Sequence, residues 1–288
     1  MDERIVTGAS GVLSMVLYVD DEGTYATGGV VVRVTRDGDG AYLTAGTGYS
    51  AAASGTDASG YYEITIGPQT CMGTLTCEWV ATTSSGHTTT VTTHAEIVGG
   101  RLCTIADVRN SDPTLVDSTK YPTNKVWAAV RETEDEFERI LGCGVIPRAT
   151  TEYCWGGGAS ILLSHRPLIG IYGSVSTGTT NIPASGLCTS WEGTLARADG
   201  GYFDEISSAW YAYGMTSVPA DLKRAALTRV RYRLNAERSG IPDRAVNMVI
   251  ADGGTFTLAT PGKGGSLTGI PEVDAVLGRY SMRHPGVA

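Results

Sequence analysis

Residues 218–238 read Val-Pro-Ala-Asp-Leu-Lys-Arg-Ala-Ala-Leu-Thr-Arg-Val-Arg-Tyr-Arg-Leu-Asn-Ala-Glu-Arg, the most basic stretch of the chain. Pro219 at the start, Asp221 in the first turn and Gly240 after the end predict a helix over about 219–238. One line of this helix is apolar and is formed by Leu222, Ala226, Val230 and Leu234. A second line carries arginines seven residues apart, at Arg224, Arg231 and Arg238.

A second long helix is predicted over about 122–141, beginning at Pro122 and ending before Gly142 in the C′ position. Its apolar line is formed by Val126, Val130, Phe137 and Leu141. It is acidic, with Glu132, Glu134, Asp135, Glu136 and Glu138. An acidic and a basic helix predict charge pairing within one chain or between neighbouring copies, which would fix partner choice and register. A solvated arginine line is a close alternative.

Charge is divided unevenly along the 288 residues, whose formal net charge is −8. Residues 1–100 hold three basic and eleven acidic residues, and residues 101–288 are neutral overall. Phosphate binding needs clustered Lys and Arg, so this balance argues against a nucleic-acid-binding module. No run approaches the roughly 20 apolar residues of a membrane helix, and the N-terminus has no signal-peptide pattern. We therefore expect no membrane partner and synthesis in a reducing cytoplasm.

The pattern of elements predicts an α+β protein in three parts. Residues 1–99 contain short runs rich in Val, Thr, Ile and Tyr between Gly- and Asp-rich turns, which indicates an immunoglobulin-like β-sandwich. Residues 100–246 would hold the two long helices, with a β-rich insertion over about 145–216. Residues 247–288 would form an extended C-terminal arm. Its last helix has an apolar side formed by Val273, Val276, Leu277 and Tyr280, which predicts docking on a neighbour.

Shorter signals mark two further helix starts after the Gly99-Gly100 boundary. Thr104 and Asp107 have the spacing of a capping box. Asp112-Pro113 has the pattern of an N-cap followed by proline at the first helical position.

Catalytic and metal-binding signals are weak. The six cysteines form no Cys-x-x-Cys, and Cys71 and Cys77 with His87 and His94 fit no zinc spacing. A hydrolase would depend on Ser164 and His165 alone, since there is no Gly-x-Ser-x-Gly elbow. We therefore expect no enzyme activity, no cofactor and no metal.

From about Leu102 onward the chain resembles the head-to-tail connector (adaptor) proteins of long-tailed bacteriophages, in the form found in phages of actinobacteria. The resemblance depends on short segments in a fixed order over roughly 185 residues. They are Thr104-Ile-Ala-Asp-Val-Arg, Asp112-Pro-Thr-Leu, Lys120-Tyr-Pro, Glu134-Asp-Glu-Phe-Glu-Arg-Ile-Leu-Gly, Val145-Ile-Pro-Arg, Leu162-Leu-Ser-His-Arg-Pro, Tyr211-Ala-Tyr-Gly-Met, Val218-Pro-Ala-Asp-Leu-Lys-Arg-Ala-Ala and Pro271-Glu-Val-Asp-Ala-Val-Leu-Gly-Arg-Tyr. The first hundred residues lie outside the common adaptor core.

The resemblance implies a virion protein of the phage neck, assembled in the host cytoplasm as a ring that commonly has twelve copies. Its partners would be the portal protein, neighbouring copies, a stopper or tail-terminator ring, and double-stranded DNA that passes without being read. The long helices would form the bundle and residues 247–288 the portal-docking arm. The expected contacts between subunits are Arg224, Arg231 and Arg238 with Glu132, Glu134, Glu136 and Glu138.

Two other functions remain open on sequence grounds. A stopper or tail-completion protein differs from an adaptor only through the resemblance. A surface β-module that binds carbohydrate or a host protein would use tyrosines of the N-terminal strands, namely Tyr25, Tyr42, Tyr49, Tyr61 and Tyr62. Such tyrosines more often pack within strands.

Overall fold

The computed structural model describes residues 3–19, 22–23, 26, 29–44, 51–55, 60–82, 87–236, 247–249, 255–257 and 267–281. Helices and strands both occur along it, so the α+β class is confirmed. The chain forms two compact units. Unit 1 comprises Met1–Gly100 and Pro147–Gly214, and unit 2 comprises Arg101–Ile146 and Met215–Ala288.

The N-terminal strands of unit 1 are β1 (Glu3–Val6), β2 (Gly11–Val16), β3 (Tyr18–Val19), β4 (Glu22–Gly23), β5 (Val30–Arg36), β6 (Ala51–Ala52), β7 (Ser54–Gly55), β8 (Tyr61–Ile66), β9 (Gly73–Thr82) and β10 (Thr88–Val98). One sheet has the order β1-β10-β9-β5-β6 and another the order β2-β8-β7, while β3 pairs with β4. β1 and β10 are parallel, and the other pairs are antiparallel.

The two larger sheets share one hydrophobic core. Alternate residues of β5 and β9 are buried, as the period of two predicts, and Trp79 of β9 lies fully inside. Leu13 and Met15 of β2 and Tyr62 and Ile66 of β8 reach the same core from the other sheet. Each sheet therefore has one face on the core and one face towards solvent.

The insertion, residues 147–214, contains β11 (Arg148–Trp155), β12 (Ser160–Leu162), β13 (Leu168–Ile171), β14 (Ser174–Thr177), β15 (Thr180–Pro183), β16 (Leu187–Thr189), β17 (Thr194–Arg197) and β18 (Ile206–Tyr213). One sheet has the order β11-β18-β14-β15, with β13 also paired to β18, and a second has the order β12-β17-β16. Their shared core includes Ile161, Val175, Leu195, Phe203 and Tyr211.

The insertion packs against the N-terminal strands. Met72 lies with Ala149 and Ala212 in one buried cluster, and Gly99 N–H donates to the Pro147 carbonyl at 2.8 Å. The Arg148 guanidinium holds Glu96 at 2.5 Å. The insertion thus belongs with residues 1–100, whereas the sequence division placed it with the helices of residues 100–246.

Unit 2 contains α1 (Ile105–Ser111), a 3-10 turn at Pro113–Val116, α2 (Thr123–Leu141), α3 (Ala220–Ala236) and α4 (Pro271–Tyr280). Two short strands, β19 (Asn247–Val249) and β20 (Thr255–Thr257), pair antiparallel. The capping box is confirmed, since Thr104 Oγ1 accepts from Asp107 N–H and Asp107 Oδ2 accepts from Thr104 N–H. Asp112 caps the 3-10 turn, and Gly142 ends α2 at φ 68°.

The helices bury the predicted apolar lines. Val126 and Val130 of α2 meet Val230 and Leu234 of α3 in a core that also holds Val108 of α1. No helix in the described part of the chain is long and apolar enough to span a membrane.

Candidate functional site

Charge pairing between the acidic and basic helices occurs within unit 2. Arg229 of α3 donates two hydrogen bonds of 2.7 Å to Glu136 of α2, from Nε to Oε2 and from Nη2 to Oε1. Arg233 reaches Glu132 at 2.7 Å and Glu136 at 3.0 Å. The two arginines are four residues apart and so are the two glutamates, so each pair lies on one helix face and the two faces meet.

Burial acts to raise the pKa of Glu136, but the hydrogen bond from Arg229 and the charges of Arg229 and Arg233 outweigh it and hold that pKa below its ordinary value. The bidentate geometry is the strong form of a carboxylate–guanidinium contact. Arg229 also donates from Nη1 to the carbonyl of Thr268 at 3.1 Å. One arginine therefore joins α2, α3 and the segment before α4.

The arginines predicted from the seven-residue spacing are not the ones that pair with α2. The Arg224 side chain is exposed, and Arg231 Nε lies 3.7 Å from Asp112 Oδ2. Arg238 lies outside the described residues. A seven-residue spacing does not select Arg229 and Arg233, which lie beside the buried Val230, where a long side chain leaves the core and reaches the next helix.

The acidic residues predicted at a subunit interface differ in burial and in their partners. Glu134 is only 1% exposed and accepts from Arg101 Nε and from the Leu102 N–H, both at 3.0 Å. It therefore offers no carboxylate to a neighbour. Glu132 and Glu136 are used in the contacts with α3, and Glu138 is partly exposed.

The apolar side of α4 is occupied within unit 2. Val273 and Leu277 are 1% and 0% exposed, and the Tyr280 hydroxyl donates to Asp221 Oδ1 at 2.7 Å. Val276 is half-buried and lines a groove of about 280 Å³ between α3 and α4, together with Arg224. Val273 and Leu277 thus do not form the exposed docking side that was predicted for the arm. Residues 250–254 and 258–266 of the predicted arm lie outside the described residues.

Ser164 and His165 do not form a catalytic pair. Ser164 Oγ donates to Glu152 Oε1 at 2.5 Å, while His165 Nδ1 lies 2.9 Å from the Tyr211 hydroxyl. Tyr211 in turn donates to Glu152 Oε2 at 2.5 Å, and burial, followed by the Glu152 hydrogen bond, raises the pKa of Tyr211. The Ser164 hydroxyl is thus directed at Glu152 and not at His165, and the cluster ties β11, β18 and residues 164–165 together.

The insertion exposes an unusual number of large apolar side chains, which sequence reasoning missed. On β11 and β18, Trp155 is 82% exposed, Tyr153 is 75% exposed and Ile206 is 54% exposed. Trp155 and Ile206 are opposite each other in the register, and Tyr153 is two residues away on the same face. We call Tyr153, Trp155 and Ile206 the outer aromatic surface. Leu162, Trp191 and Tyr202 of the same segment are also mostly exposed.

Metal and thiol chemistry finds little support among the described residues. None of their His, Cys, Asp and Glu side chains form a group of three or more that could hold a metal ion. All six cysteines lie among the described residues, and none of them forms a disulfide. Burial raises the pKa of Cys77 to about 11 and that of Cys103 to about 12, so these thiols stay protonated at neutral pH.

Comparison with known proteins identifies no family for this chain. No protein-family model and no curated protein matches the chain. Among solved structures, the crystal structure of CopC from Methylosinus trichosporium OB3b is 10% identical, with 33% of this chain and 82% of that chain covered. Its TM-score of 0.25 is too low to support any conclusion about fold or function.

Proposed function

We propose that the chain is a structural virion protein of the phage neck, an adaptor that forms a ring between portal and tail and contributes to the DNA passage. Several of the segments that carry the resemblance lie at helix ends in unit 2, and others lie in the insertion of unit 1. Thr104 and Asp107 cap α1, Asp112 caps the 3-10 turn, and the segment from Glu134 to Gly142 completes α2.

The exposure of the outer aromatic surface is the observation that supports an assembly function. Scattered single apolar side chains are normal on a monomer, but neighbouring large ones on one sheet face mark a surface that another chain covers. Trp155 and Ile206 are adjacent across β11 and β18, and both are mostly exposed. Exposed aromatic residues are also over-represented where proteins meet.

The internal pairing of α2 and α3 agrees with a passage through which DNA slides. Arg229 and Arg233 are engaged with Glu132 and Glu136, which leaves fewer free guanidinium groups to grip phosphate. We propose that α2, α3 and α4 form the adaptor's helical bundle. In this proposal the ring joins the portal above to a stopper or tail-terminator ring below, and it has no catalytic role.

We further propose that the two sheets of residues 1–99 form an immunoglobulin-like sandwich on the outside of the neck. Their shared core around Trp79 supports a sandwich. Contacts such as Arg148 with Glu96 support a fixed attachment to the insertion.

A surface module that binds carbohydrate is the second candidate. Tyr62, one of the tyrosines that such a module would use, is 2% exposed, and its hydroxyl oxygen accepts from the Ala26 N–H at 2.6 Å. Tyr25 and Tyr49 lie outside the described residues. The exposed side chains of Tyr153 and Trp155 are the better candidates for stacking on a sugar ring.

The test is a reaction that joins heads to tails in vitro. The capsids and tails come from the virus that carries this chain and are prepared without this protein. Added protein should restore infectious particles. The double variant Tyr153→Ser/Trp155→Ser should remain folded and fail, while Val116→Ser, an exposed site in unit 2, should behave like the unaltered protein. Heads and tails that join equally well without the protein would contradict the proposal.

A further inference from the structure

β11 is the longest edge strand in the described part of unit 1. It pairs with β18 on one side over eight residues without a register shift. Natural edge strands are protected by shortness, proline, exposed lysine or a bulge. β15, at the other edge of the same sheet, has four residues and ends in Pro183. β11 has none of these protections.

The register shows which backbone groups of β11 face outward. Gly156 N–H donates to the Glu205 carbonyl at 2.8 Å, so the next residues that bond to β18 are Cys154, Glu152 and Thr150. The carbonyl of Trp210, opposite Thr151, accepts from Tyr172 N–H on the far side of β18, which confirms this alternation.

The backbone N–H and C=O groups of Thr151, Tyr153 and Trp155 therefore point away from the sheet. No backbone partner for them occurs among the described residues. Their side chains are all exposed. The outward hydrogen-bonding groups and two members of the outer aromatic surface thus belong to the same residues.

We infer that β11 pairs antiparallel with β11 of a second copy of this chain, across a two-fold axis at Tyr153. In that register Tyr153 of one copy faces Tyr153 of the other, and Thr151 of each copy faces Trp155 of the other. In each pair, both residues have their backbone N–H and C=O groups directed outward from their own sheet. About six hydrogen bonds would form over the three pairs. The facing side chains at these positions are uncharged, so no like charges oppose each other.

Self-pairing fits this edge better than pairing with β15, the other edge of the same sheet. The outward residues that are also exposed, Thr151, Tyr153 and Trp155, are symmetric about Tyr153, as an isologous contact requires, while the next residue of the outward set, Ala149, is buried. β15 presents Pro183, which has no N–H, in its outward set. The contact goes beyond the proposed ring, because a ring joins two different surfaces of successive copies, whereas here one strand meets itself.

The experiment measures self-association of the full chain by sedimentation equilibrium from about 1 µM to about 200 µM. Thr151→Pro removes one outward N–H without touching the bonds to β18, and it should raise the dimer dissociation constant about tenfold or more. Thr151→Ala keeps the N–H and should change the constant by less than about threefold. A chain that stays monomeric throughout, or a dimer that is indifferent to Thr151→Pro, overturns the inference.

A charge variant keeps the test decisive if the proline perturbs folding. Tyr153→Lys places two positive charges opposite each other at the two-fold axis, so association should weaken about tenfold or more and recover in high salt. Tyr202→Lys makes the same change at another exposed tyrosine of the insertion and is the matched control. Equal effects of the two lysines would refute pairing at β11, whichever proposal for the ring holds.

Discussion

The helices of unit 2 and the strands of the insertion differ in how far their apolar and charged side chains are buried or paired within the chain. In unit 2, α4 buries Val273 and Leu277, and Arg229 and Arg233 bind the acids of α2. In the insertion, β11 leaves both its aromatic side chains and one row of backbone groups open to solvent. The exposed large side chains are therefore concentrated on β11, although the helices carry the more conspicuous patterns of charge and amphipathicity.

Removing a buried side chain of α4 should give the largest effect on stability. Leu277→Ala should lower the free energy of unfolding by about 3 to 4 kcal/mol, because Leu277 is fully buried and leaves a cavity. Val276→Ala, at a half-buried position on the same helix, should cost about 1 kcal/mol. Urea unfolding measures both values. Similar small losses for the two variants would show that α4 is not held as described.

Breaking the central ion pair should have the next largest effect. Arg229→Ala leaves Glu136 partly buried with Arg233 alone, and it removes the bond to Thr268, so the free energy of unfolding should fall by about 2 to 3 kcal/mol. The exposed Arg224 is the control, and Arg224→Ala should change it by less than about 0.5 kcal/mol. If Arg224→Ala costs as much, the arginine line predicted from the sequence matters more than the observed pairing.

Acid should weaken unit 2 through Glu136. Its pKa in the folded chain lies below the ordinary value of 4.5, so its stabilising contribution is present above that value and is lost as the pH falls through the lowered folded pKa. Glu136→Gln cannot titrate and should show a shallower loss of unfolding free energy between pH 7 and about pH 3. The same acid slope in both proteins would assign the acid sensitivity to other carboxyls.

Changing the outer aromatic surface should have the smallest effect on stability. Trp155→Ser removes a side chain that is 82% exposed, so the free energy of unfolding should shift by less than about 0.5 kcal/mol. Trp79→Ser, in the core of the same unit, should prevent stable folding. Thermal unfolding followed by near-ultraviolet circular dichroism compares them. A large loss at Trp155 would mean that the surface stabilises its own chain.

Local features of the fold could be predicted from the sequence because they depend on neighbouring residues. The capping box of Thr104 and Asp107, the cap at Asp112 and the end of α2 at Gly142 all follow from chemistry within a few positions. The apolar lines of α2 and α3 also lie in the core, since burial selects one face of each helix.

The paired arginines and the open strand edge could not be predicted in this way. Which arginines meet α2 depends on how far α3 is rotated in the packed unit, and a seven-residue line drifts around a helix with 3.6 residues per turn. Whether β11 is an edge strand depends on strand order, and the direction of its N–H groups depends on register. Both are set by contacts between residues far apart in the chain.

Gly38 lies so close to the Trp210 indole that a Cβ at this position would overlap the ring. The two residues are far apart in the chain, with the whole of α2 between them. A ribosome adds about 5 to 20 residues per second, so many seconds pass between the incorporation of Gly38 and the incorporation of Trp210, whose indole covers it. We therefore expect the surface of the N-terminal strands around Gly38 to stay hydrated during synthesis until β18, the last strand of the insertion, has emerged.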